Sequence, residues 1–75
     1  MRVRSLGPSE TEVIIGERNV TILVSYETPV AACVDGKYYR TSTKWSTTTS
    51  RHINQWLEGV KAEVKTQEFF DTLLS

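Results

Sequence analysis

Cysteine, histidine and methionine occur once each in this 75-residue chain, proline twice and glycine four times. A lone Cys33 excludes an internal disulfide, and a single His52 excludes the Cys/His clusters whose spacing holds zinc. No metal or other cofactor is therefore expected. Excess charge is lacking too, since nine basic side chains balance nine acidic ones. Without a net field to draw it to polyanions, nucleic acid is not the expected partner, and any anion recognition must be local. No apolar run approaches the ~20 residues that span a bilayer. Met1-Arg2-Val3-Arg4 opens without the apolar stretch of a secretory signal. These absences predict a cytosolic chain with no membrane partner and a reduced thiol.

A single domain of this size supplies only about 3–5 kcal/mol from its core unless something reinforces it. With no covalent or metal staple in the sequence, association into a homodimer or higher homo-oligomer is the expected reinforcement.

What is present begins with strand signals. Val13-Ile14-Ile15 and Val20-Thr21-Ile22-Leu23-Val24 are rich in branched residues, which suit a pleated half-buried surface. Gly16-Glu17-Arg18-Asn19 between them reads as a hairpin loop. Asp35-Gly36 is a stronger turn signal, because both residues accept the positive φ angles of a type I′ turn. A two-residue turn there sets Cys33 against Tyr38 and Ala31 against Arg40 on one side. Ala32 and Tyr39 fall on the other, with Val30 and Val34. The second side is the expected core. The first leaves room above small Ala31 and Cys33 for a flat ring or a phosphate.

From about Thr49 the period becomes helical, with Ile53, Trp56, Leu57 and Val60 on one stripe that packs on the sheet. Ser46, Thr47 or Thr48 can serve as N-cap, and Gly59 is a natural stop. Phe69, Phe70, Leu73 and Leu74 predict a short second helix after Thr66. The expected fold is α+β: an antiparallel sheet of about four strands from two hairpins, one main helix and a short C-terminal helix. As a single domain it divides into an N-terminal arm over 1–9, a core over 10–60 and a helical tail over 61–75.

The hydroxyl run Ser46 to Ser50, followed by Arg51 and His52, marks the candidate site. Amide N–H groups at a helix start lack intrahelical partners and, with hydroxyls and a guanidinium, make an anion cradle. Thr48, Thr49, Ser50 and Arg51 are the expected phosphate contacts, with His52 donating to phosphate or ribose; an ordinary capped helix is the plainer alternative. Trp45, Tyr38 and Tyr26 are candidate ring platforms, and Arg40 lies beside Tyr38. A lone histidine without a carboxylate or a second histidine does not complete a catalytic set, so no enzyme is expected.

Ser25-Tyr26-x-Thr28-Pro29-Val30-Ala31, followed by Trp45-Ser46-x-Thr48-Thr49-Ser50-x-His52-Ile53-Asn54, resembles a family of very small bacteriophage proteins classed as a domain of unknown function. The likeness covers Ser25 to Leu57. Where family members often carry tyrosine before the serine, this chain carries Trp45, which keeps a stacking face and loses a phenolic hydroxyl. The resemblance implies a small accessory protein in the cytoplasm of an infected bacterium. By analogy with other tiny phage proteins that oppose host defence, it implies sequestration of a nucleotide-derived immune signal without chemistry. Binding to a host protein or to nucleic acid is the alternative, and hydrolysis of a nucleotide signal comes third.

Overall fold

The computed structural model describes residues 1–74. Ser75, the end of the expected helical tail, lies outside the described residues. The strands are β1 (Arg2–Gly7), β2 (Glu10–Ile15), β3 (Val20–Ser25), β4 (Thr28–Val34), β5 (Lys37–Thr41) and β6 (Glu63–Lys65). Helix α1 (Thr47–Leu57) stands between β5 and β6, and α2 (Gln67–Leu73) follows β6. The strands form one sheet in chain order. The first five pair antiparallel, and β6 runs parallel to β5.

The class is α+β, but the sheet has six strands and is mixed, which corrects the expectation of four strands from two hairpins. The first nine residues supply the extra edge strand β1, where an arm was expected. Arg4 faces Glu12 at 3.9 Å, and the N-terminal four residues of the strand stay exposed. With so little apolar burial β1 is held mainly by its backbone ladder to β2, so hydrophobic patterning gives it no signal. At the other edge, three residues of the expected helical tail pair with Tyr39 to Thr41 as β6. A parallel pair needs a long crossover, and α1 provides it.

Local turn chemistry explains the register. Asp35 and Gly36 both have positive φ, at 50° and 84°, and the pairs Cys33–Tyr38, Ala32–Tyr39 and Ala31–Arg40 follow. Residues Gly16–Arg18 form a 3₁₀ turn that ends on Asn19 in the left-handed region. Ser46 is the N-cap of α1 and accepts from the Thr49 amide at 3.1 Å. The helix stops at Leu57, because Glu58 and Gly59 both turn left-handed.

Each face of the sheet carries one helix. Ile22, Ala32, Val13 and Val20 pack with Phe70 of α2, with Tyr39 and Phe69 beside them. Leu23, Val30 and Ala31 pack with Ile53 and Leu57 of α1, flanked by Tyr38 and Trp56. The Ala32, Tyr39 and Val34 side is core as expected, but Val30 does not belong to it and the opposite side holds a second core. On the Ala31, Cys33 and Tyr38 side, α1 covers Ala31 and sets the Trp56 ring 5.9 Å from Tyr38, and a hollow remains beside Cys33 and Tyr38. Val30 changes sides because the register of β3 and β4 shifts between Leu23 and Val24. One extra residue in β4 breaks strict alternation at that point.

Candidate functional site

Ser25 ends β3 on the α1 face, and α1 begins beside it. Its Oγ lies 3.1 Å from Thr49 Oγ1 and 2.9 Å from His52 Nδ1. All three residues are buried, Ser25 to 2 % exposure. Thr49 and His52 meet Ser25 together because residues three apart share a helix face. The Ser46 hydroxyl donates to Thr49 Oγ1 at 3.2 Å.

Each hydroxyl has one proton to donate, so one assignment uses them all. Ser46 donates to Thr49, Thr49 to Ser25, and Ser25 to Nδ1 of a neutral His52 that carries its own proton on Nε2. No buried side-chain nitrogen or oxygen lacks a partner among the described residues. Among the described residues His52 is hydrogen-bonded only through Nδ1, which places Nε2 at the solvent boundary. The Tyr26 ring lies 6.1 Å from the imidazole, tilted by 41°.

Beside this chain of hydroxyls is a hollow of about 270 Å³, walled by Ser25, Val30, Ser46 and Thr49 with the rings of Tyr26 and Trp45. No charged side chain lines it among the described residues. Both rings are positioned from elsewhere in the fold. Tyr26 opens the two-residue turn between β3 and β4, its φ is 60°, and its amide donates to the Ser9 carbonyl at 2.7 Å. A left-handed φ at a bulky residue costs roughly 1–3 kcal/mol and persists only where the surroundings hold it. The Trp45 indole N–H donates to Gln67 Oε1 at 3.1 Å, and Gln67 Nε2 donates to the Pro29 carbonyl at 2.7 Å. Through Gln67, α2 on the far face sets the pocket wall.

The sequence-predicted residues divide into three groups. Tyr26, Trp45 and Thr49 line the hollow, and His52 stands behind Ser25. Thr48 and Arg51 are exposed and Ser50 is half-buried on the outer side of the first helical turn. There they can meet a group that projects from the hollow. Tyr38 and Arg40 lie apart from it: Tyr38 packs on Trp56, and Arg40 Nη1 donates to Asn54 Oδ1 at 3.4 Å. Tyr38 instead borders a separate hollow of about 490 Å³, whose rim sets Glu10, Glu12 and Glu58 against Arg4, a net acidic and so poor setting for phosphate. Sequence reasoning missed Ser25 and Gln67. Ser25 was legible as the polar residue in register with Leu23, two positions on, once α1 is set on that face. Gln67 had no signal of its own.

Residues 1–72 match a family of unknown function, DUF8033. The chain belongs to that family. The match runs well beyond Ser25–Leu57, so in this DUF8033 chain β1, β2 and α2 fall within the family's domain as well. No curated protein and no solved structure matches it. No helix among the described residues is long and apolar enough to cross a membrane, and no group of His, Cys, Asp and Glu among them is arranged to hold a metal ion.

Proposed function

We infer that this chain captures a nucleotide-derived small molecule and holds it without turnover. The observation that carries this reading is the hollow between Tyr26 and Trp45 at the start of α1. Its walls are rings, hydroxyls and an aliphatic side chain, a setting for an uncharged base that stacks and hydrogen-bonds. The phosphate belongs outside it, on the first turn of α1, where free amide N–H groups meet Thr48, Ser50 and Arg51. At about 270 Å³ the hollow suits one ring rather than a whole oligonucleotide, so a larger ligand needs a second copy of the chain to cover the remainder. The resemblance to small phage proteins supports the biological form of this reading: sequestration of a host immune signal in the infected cell.

The test is recovery. Purified protein is incubated with lysate from defence-activated bacteria, washed, denatured, and the released small molecules are identified by mass spectrometry. An intact nucleotide in stoichiometric amount is expected. An empty protein from lysate verified to contain the signal would overturn the reading and favour a protein or nucleic-acid partner.

A further inference from the structure

One pair, Ser25 in the pocket wall and His52 behind it, is not needed for capture. Ser25 Oγ and His52 Nδ1 are 2.9 Å apart, within the range that joins a nucleophile to its general base. Ser25 borders the hollow although it is 2 % exposed. Of its two lone pairs one accepts from Thr49, which leaves the other for an electrophile. The imidazole is fixed from two sides, by Ser25 at Nδ1 and by the Tyr26 ring. Tyr26 itself is held in a left-handed conformation, a form of backbone strain that gathers at functional sites. The same wall includes the first turn of α1 through Ser46 and Thr49. The positive end of its dipole suits an oxygen that gains negative charge as a bond forms.

We propose that Ser25 is a nucleophile, activated by His52, that accepts the acyl or phosphoryl group of an uncharged activated ester bound between Tyr26 and Trp45. The ester is uncharged because no charged side chain among the described residues lines the hollow. Ser25 Oγ bonds to the electrophilic carbon or phosphorus as the bond to the leaving group breaks. The leaving group departs with that bond's electron pair. The Ser25 proton passes to Nδ1, and the imidazolium returns a proton to solvent from Nε2. Capture of a nucleotide requires no such bond, so this chemistry goes beyond that reading and stands independently of it.

Diisopropyl fluorophosphate is a small neutral probe for this step: the Oγ–P bond forms, the P–F bond breaks and fluoride leaves. The full chain is exposed to the probe, and adducts are counted by intact mass and located by peptide mapping. One adduct on Ser25 is expected, formed at least ~100-fold more slowly in His52→Gln, the usual loss when a general base is removed. Circular dichroism verifies that the variant is folded. No adduct, an adduct on another residue, or equal rates in the folded variant and the parent would overturn the proposal. Mapping on the unaltered protein decides the nucleophile's identity without relying on a Ser25 variant that folds.

Discussion

The two faces of the sheet are built from the same strands and put to different uses. On the α2 face the buried residues are apolar except Thr41, which donates to Gln67 at the start of α2, and Phe70 is fully enclosed among Ile22, Ala32 and the rings of Tyr39 and Phe69. On the α1 face the apolar cluster stops at Ile53 and Leu57. Toward the start of α1 it gives way to Ser25, Thr49, His52 and an open hollow. One face is devoted to stability. The other surrenders part of its packing to a polar network and a cavity, which in a chain this small is a substantial sacrifice. Under the proposed function, that hollow is where the ligand binds.

The contrast breaks most severely at Phe70. Phe70→Ala removes a fully buried ring, and such a change costs about 3–5 kcal/mol, close to the whole stability of a domain this size. In urea the variant is expected to be unfolded or to have lost most of its midpoint. A loss below about 1 kcal/mol would mean that α2 is not part of the core. The corresponding change on the α1 face is smaller. Ser25→Ala leaves Thr49 and His52 each short of one hydrogen bond at a buried position, for about 1–3 kcal/mol, measured in the same titration at unchanged slope. If the two substitutions cost the same, the distinction between an apolar and a polar face fails.

Much of the fold was legible where local chemistry decides it. Asp35-Gly36 dictated the β4–β5 register, Gly16 to Asn19 gave the loop before β3, and the hydroxyl run offered Ser46, Thr47 or Thr48 as cap of α1, of which Ser46 serves. What escaped depends on distant partners. The edge strand β1 has few buried side chains to reveal it, and β6 exists because α1 returns the chain alongside β5. The register shift at Val30 carried that residue to the opposite face.

The candidate site shows the same limit. Thr49, His52, Trp45 and Tyr26 were singled out as residue types and come together. The helix then divides its own hydroxyl run, Thr49 inward and Thr48 outward, because adjacent helical positions point about 100° apart. Ser25 lies 24 residues before Thr49 and joins it only once β3 and α1 are packed. No local pattern reports such a contact.

The most direct test of this division is a residue-by-residue amide NMR titration of the folded protein with a panel of mono- and dinucleotides. Binding on the α1 face predicts shift changes confined to residues 25–28 and 45–52, with α2 residues 67–73 unmoved apart from Gln67, which holds Trp45. Shifts centred on α2 or on the Glu10, Glu12 and Glu58 hollow, or no shift with any nucleotide at millimolar concentration, would contradict the account.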